Sequence, residues 1–227
     1  LKSLQLSDFS WNLFFKSNRL FLTAIAFFVL ACTGLLVFLP KGYLVLWFSA
    51  HRHPVLDTFF GLMTKGGEVA GFLIVLFLLL FVGYRWVAAL GLLTIGVSLC
   101  SNGSKSLFHQ PRPARYFQDL GMDTVLQPVT GIPLHSGFTS LPSGHTMAAF
   151  AFFSLLAFSL TRKGWPALLC FLMAGLVGLS RIYLGQHFEA DVLLGALMGT
   201  ILAAVFYRMF YPGAHSNRWG AGKWHWN

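Results

Sequence analysis

The apolar positions of this chain fall into long unbroken runs. They show neither the two-residue alternation of a half-buried strand nor the one-sided stripe of a soluble helix. Residues 20–39 carry no charge and stop at Pro40, and such a run is what an α-helix needs to cross a hydrocarbon core of about 30 Å. Further runs predict helices of the same kind at residues 69–83 and 86–100, paired as a hairpin about Tyr84 and Arg85, and at 146–160, 167–179 and 189–207. Several are short for free spans and must extend into polar flanks, which membrane depth tolerates only beside a water-filled cavity or a protein partner. Residues 43–63 mix Trp47, Phe48, Phe59 and Phe60 with His51, Arg52, His53 and Asp57, the pattern of an amphipathic helix lying at the membrane surface, with a re-entrant segment as the alternative. The expected fold is all-α: a polytopic membrane protein with six transmembrane helices and an interfacial amphipathic helix between the first and second, in a single domain over residues 1–227. The first run is longer than the roughly 7–15 apolar residues of a cleavable signal and lacks a following small-x-small site, so it is expected to stay as an anchor.

Composition agrees. Hydrophobic residues make up 56% and charged residues 10% of the 227, against about 25% charged in an ordinary soluble domain. A disordered chain and a soluble nucleic-acid binder are excluded, and three cysteines are too few for a disulfide-built secreted domain. Cys32, Cys100 and Cys170 sit inside apolar runs without metal-ligand spacing and read as small buried residues. The net charge of +9 belongs to topology and to anionic head groups. With six crossings, Lys2, Lys16, Arg19, Arg85, Arg162, Lys163, Arg208, Arg218 and Lys223 share one side. Lys41, Arg52, Lys65, Lys105, Arg112, Arg115 and Arg181 share the other. Once Lys105, Arg112 and Arg181 are set aside for chemistry, the first side holds the excess. The positive-inside rule then places both termini in the cytoplasm and the other face toward the periplasm. Trp219, Trp224 and Trp226 suit an interfacial tail on the cytoplasmic side.

The scarce polar residues of the outer side form three clusters: Lys105 to Pro113, Pro142 to His145, and Ser180 and Arg181 with His187 and Asp191. From His145 to Thr161 the chain climbs about 24 Å as a helix, and after a turn it returns about 23 Å to Arg181, at the level where it started. Lys105 leaves its helix on the same side, so all three clusters can border one cavity. Singly, each has a structural reading, as a common helix start, a snorkelling cation or a structural His–Asp pair. Together they point to phosphate. Ser143 can cap a helix whose N-H groups, exposed by Gly144, face an anion, and Lys105, Arg112 and Arg181 can offset a phosphate dianion. His187 and Asp191, four residues apart on a helix face, let the carboxylate hold one ring nitrogen while the other attacks, and His145 can protonate the departing oxygen. Glu189 is a weaker candidate for substrate contact. His51, His53, His135, His215 and His225 read as loop or interface residues, with His109 the exception to watch; Asp119 and Asp123 read as a solvated loop face.

At these residues the chain resembles the type 2 phosphatidic acid phosphatase superfamily. The signature positions are Lys105 with Arg112 and Pro113, then Pro142, Ser143, Gly144 and His145, then Ser180, Arg181, His187 and Asp191. The motif-bearing core is thus residues 105–191, and the loop 114–141 within it is not assignable to a subfamily. The resemblance implies metal-independent hydrolysis without a cofactor through a phosphohistidine, at the outer face of a bacterial inner membrane. It assigns His187 as nucleophile, Asp191 as its orienting carboxylate and His145 as general acid. Lys105, Arg112, Ser143, Gly144 and Arg181 hold the phosphoryl oxygens. The partner is a phospholipid or isoprenoid phosphate, with undecaprenyl diphosphate and lipid A the leading substrates and phosphatidylglycerophosphate and phosphatidic acid the others. A lipid phosphotransferase using the same phosphohistidine is the alternative, and an anion transporter the remote one.

Overall fold

The computed structural model describes residues 9–160 and 163–211, and among these residues the ordered elements are all helical. A short helix α1 (Trp11–Ser17) leads into α2 (Arg19–Phe38), which Pro40 terminates. Two short helices follow, α3 (Tyr43–Ala50) and α4 (Pro54–Met63), then a 3-10 turn (Thr64–Gly67) and α5 (Val69–Val82). After Gly83 come α6 (Tyr84–Phe108), α7 (Pro113–Asp119), α8 (Gly144–Ser159), α9 (Trp165–Tyr183) and α10 (Glu189–Phe210). The predicted runs therefore recur as helices, with their polar ends extended as expected. The largest extension is that of α6, which continues past Cys100 to Phe108, ending where His109 takes a left-handed conformation (φ 44°).

Helix α8 is the axis of the fold. At 16 residues it is short for a crossing, yet it is wrapped by α5, α6, α9 and α10, and 13 of its residues are buried. Outward, α2, α5 and α6 present Phe27, Leu30, Phe38, Phe81 and Leu99, each about two-thirds exposed or more. Such an apolar belt is stable only against lipid. By length and hydropathy, Arg19–Phe38, Tyr84–Asp119, Trp165–Tyr183 and Glu189–Phe210 qualify as membrane spans. The pair Pro54–Gly67 and Val69–Val82, bent by 60°, adds a fifth as a broken span or a re-entrant loop. Four or five spans thus meet the criterion where the sequence predicts six, and α8 is a shorter apolar helix that falls below it.

Residues 43–63 do not form one continuous helix. His51 ends α3, and Pro54 opens α4, whose first turn is capped by the His53 ring accepting from the Val55 N-H. Both helices pack on α9. The reason is Arg52, which donates to the Tyr183 carbonyl (2.6 Å) and the Gln127 carbonyl (3.2 Å), while the Tyr183 hydroxyl donates to Asp57 (2.6 Å). Polar groups that read as a water-facing stripe in the sequence are instead spent on fixing α4 to the end of α9.

Close packing of α10 on α8 depends on small residues. A Cβ on Gly195 would lie 2.7 Å from the Ser143 carbonyl oxygen, and one on Gly199 would collide with that of Met147. In a bilayer, where helix faces gain little from leaving lipid, such close approach is a main source of association. Gly199→Leu is expected to cost about 1–3 kcal/mol by overpacking and to lower the thermal unfolding midpoint in detergent. Gly91→Ala, where a Cβ meets nothing within 4 Å, should leave that midpoint in place.

Candidate phosphate-binding and catalytic site

Each of the three polar clusters is fixed by a different local device. In the last turn of α6, Lys105 reaches over the start of α8, its Nζ lying 3.2 Å from where a Gly144 side chain would begin. Glycine at this position is what lets the ammonium approach the helix start. Beyond α6, Arg112 is held by its own N-H to the Gly137 carbonyl, by Nε donating to Thr139 Oγ1 (3.2 Å) and by Nη1 donating to Gln186 Oε1 (3.4 Å). The segment 137–140 thus ties the first cluster to the third.

At the start of α8, Ser143 accepts from the Thr146 N-H (3.4 Å) and hydroxyl (2.8 Å). The first intrahelical bond runs from Met147 N-H to the Ser143 carbonyl, so the N-H groups of Gly144 and His145 lie ahead of it, at the positive end of the helix. The Ser143 N-H donates to the Asp191 carbonyl (3.0 Å), joining the second cluster to the third.

At the end of α9 the buried Arg181 donates from Nη1 to Thr64 Oγ1 (2.6 Å), and its buried Nε has no partner among the described residues. Its carbonyl accepts from the N-H groups of both Gln186 and His187, closing the turn at Gly185 and fixing His187. Oδ2 of Asp191 accepts from the Phe188 N-H (2.9 Å) and the Ser140 hydroxyl (2.5 Å) and lies 3.3 Å from His187 Nδ1. With Nδ1 donating to this carboxylate, Nε2 keeps its lone pair. Burial holds the His187 imidazole below the ordinary histidine range. The Asp191 carboxylate pulls the other way, while the Arg181 and Arg112 charges add to the lowering. The net lowering favours the neutral ring.

A cavity of about 770 Å³ opens beside this cluster, with His145, Arg181 and Gln186 on one wall and α4, the 3-10 turn and residues 129–135 on the other. His187, fully buried, and Asp191 do not line it, nor do Lys105 and Arg112. Arg181 and Arg112 are close enough to act electrostatically on both His187 and Lys105. All eight predicted site residues therefore gather at one end of the bundle. Glu189 lies apart, on a second cavity of about 230 Å³ between the end of α2 and residues 188–191.

Several participants carried no sequence signal strong enough to single them out. His145 Nε2 is 2.9 Å from Glu68 Oε1, and Thr64, Ser140 and Gln186 each bond a site residue. The available hint was the polar, glycine-containing interruption of an apolar stretch at residues 64–68. His135 lies on the cavity wall, whereas it read as a loop residue only. His51 bonds the Trp47 carbonyl, and His109 stacks on Phe138. Asp119 is ion-paired with Arg115 (2.8 Å) and exposed. His215, His225 and the Trp-rich tail lie outside the described residues. Cys32 and Cys170 are buried and Cys100 half-buried, all as free thiols.

Comparison with known proteins places this arrangement. The family model described as PAP2 superfamily matches residues 86–213. The crystal structure of Aquifex aeolicus LpxE superposes with a TM-score of 0.63 at 32% identity, covering 75% of this chain and 96% of that one. Undecaprenyl-diphosphatase BcrC of Bacillus subtilis is 28% identical over 162 residues, 70% of this chain and 77% of that protein. The lipid A 1-phosphatase of Rhizobium etli is 31% identical over 126 residues, 54% of this chain and 51% of that protein. The chain spans only 30 to 54% of the length of the plant and fungal relatives that it also matches.

Proposed function

The chain belongs to the PAP2 superfamily, and on that premise we propose that it is an integral membrane lipid phosphatase working through a phosphohistidine. The observation that carries the reading is the joining of the three clusters through Asp191, whose side chain takes the Ser140 hydroxyl and faces His187 while its carbonyl takes the Ser143 N-H. A phosphoryl group seated on the N-H groups of Gly144 and His145 and the Ser143 region is flanked by Lys105, Arg112 and Arg181, and the unpartnered Nε of Arg181 is a donor ready for one of its oxygens.

His187 Nε2 attacks phosphorus as the bond to the lipid oxygen breaks, and His145 gives its proton to that oxygen. Water then attacks the phosphohistidine and returns a proton to His145. The P–N bond breaks, releasing inorganic phosphate and neutral His187. Asp191 keeps the His187 ring oriented in both steps, as the buried carboxylate of a catalytic triad does. No cofactor is required in this scheme. Lys105, Arg112 and Arg181 supply the charge compensation for which other phosphatases use metal ions.

The substrate is a lipid phosphate or diphosphate, with isoprenyl diphosphate and lipid A preferred, the two lipids named in the BcrC and Rhizobium relatives. Its head group reaches the phosphoryl seat by way of the large cavity, whose wall carries His145 and Arg181. The membrane arrangement that suits this has six crossings, counting the sheathed α8 and the bent α4–α5 pair. Both termini are cytoplasmic, and the site faces the periplasm of a bacterial inner membrane.

Release of phosphate by detergent-purified protein across a lipid panel tests the reading. His187→Ala should abolish both turnover and any covalent phosphoenzyme, and Asp191→Asn should lower turnover about 10²-fold or more. Turnover surviving in His187→Ala would refute the phosphohistidine, and phosphate appearing only on an acceptor would mark a transferase. Vanadate should inhibit by occupying the phosphoryl seat while EDTA leaves the rate unchanged; loss of activity on chelation would overturn the metal-free scheme.

A further inference from the structure

We propose that Glu68 is a positioning residue for His145, holding its imidazole oriented with the Nε2 hydrogen in place until the lipid phosphate arrives. This rests on the phosphatase reading above and extends it to a residue outside the three motif clusters. The contact is direct, with His145 Nε2 2.9 Å from Glu68 Oε1. The charges that bear on His145 are those of Arg181 from α9, Lys105 from α6 and Glu68 itself. Among these charges Glu68 is the one carboxylate, and its oxygen is the acceptor that fixes the ring with a hydrogen on Nε2.

The other carboxylates nearby are committed. Asp191 serves His187, Ser140 and the Phe188 N-H, and Asp57 serves the Tyr183 hydroxyl. The 3-10 turn also fixes where Glu68 can be. A Cβ on Gly67 would lie 2.5 Å from the His145 carbonyl oxygen, so the turn rests directly on the backbone of α8, and the Glu68 N-H is tied to the Lys65 carbonyl (3.1 Å).

The two histidines of the site thus have one carboxylate each, and the difference between the carboxylates is informative. The Asp191 side chain is 5% exposed and locked, whereas that of Glu68 is 48% exposed at a helix bend. A phosphate dianion entering beside Arg181 repels Glu68, which can swing into the cavity, and the departing lipid oxygen takes its place at Nε2-H. As the P–O bond breaks, that proton passes to the lipid oxygen. In the second step water delivers a proton to His145 as its hydroxide bonds phosphorus, and Glu68 returns to the recharged ring. Glu68 forms no bond to the substrate in either step.

The test compares a lipid alkyl phosphate, whose departing oxygen needs a proton, with 4-nitrophenyl phosphate, whose does not. Glu68→Gln should lower kcat on the alkyl phosphate about tenfold and on the aryl phosphate less than twofold, with vanadate affinity unchanged. Glu68→Asp should recover part of the loss. His145→Ala should show the same dependence on leaving group more strongly, and adding Glu68→Gln to it should slow turnover no further. Equal losses on both substrates, or additive losses in the double variant, would reduce Glu68 to a structural role and overturn the proposal. If His145→Ala itself lacks the leaving-group dependence while Glu68→Gln has it, the general-acid assignment fails and this inference falls with it. Leaving-group dependence in His145→Ala alone would reject only Glu68.

Discussion

One carboxylate holds the site together. Oδ2 of Asp191 receives the Ser140 hydroxyl and the Phe188 N-H and faces the His187 ring, and the same residue's carbonyl receives the Ser143 N-H. An acid this deeply buried is costly unless its lone pairs are filled, so the hydrogen bonds that make it tolerable also set the register of the polar clusters. The start of α8, the loop before it and the start of α10 cannot shift independently without leaving a charge unmet. The relative placement of the three clusters is therefore imposed by the energetics of burying a single carboxylate.

The same logic extends outward. Arg181 sits at the end of an apolar helix, and its guanidinium has one side-chain partner, Thr64, and one unfilled donor. A buried cation left this way is stabilised by an anion, which is what commends Arg181 for the proposed phosphoryl seat. Around it, α8 can be short because it never meets lipid on its own: α5, α6, α9 and α10 sheathe it, and glycines on α10 admit the close approach.

What the sequence made legible was whatever is local. The helical runs are recorded in hydropathy, and the breaks at Pro40, Gly83 and Pro113 in residue type. The three clusters could be brought to one level because helix rise converts residue count into distance. What stayed hidden were contacts between segments far apart in the chain. Glu68 meets His145 at a separation of 77 residues, Thr64 meets Arg181 at 117 and Arg52 meets Tyr183 at 131. In one dimension, Arg52 and Asp57 amid aromatics look the same whether they face water or clamp another helix. Only the fold distinguishes one interfacial helix from two short ones packed on α9, the second of which walls a cavity.

That division bears on which parts of the site can change separately. The proposed phosphate seat draws on residues 105–113, 142–145 and 180–191, whereas the far wall of the large cavity is built from α4, the 3-10 turn and residues 129–135. These wall segments carry none of the bonds that centre on Asp191. Substitutions on α4 or residues 129–135 can therefore reshape the space beside Arg181 without disturbing the Asp191 knot, whereas changes at Thr64 or Glu68, in the same wall, reach Arg181 and His145 at once.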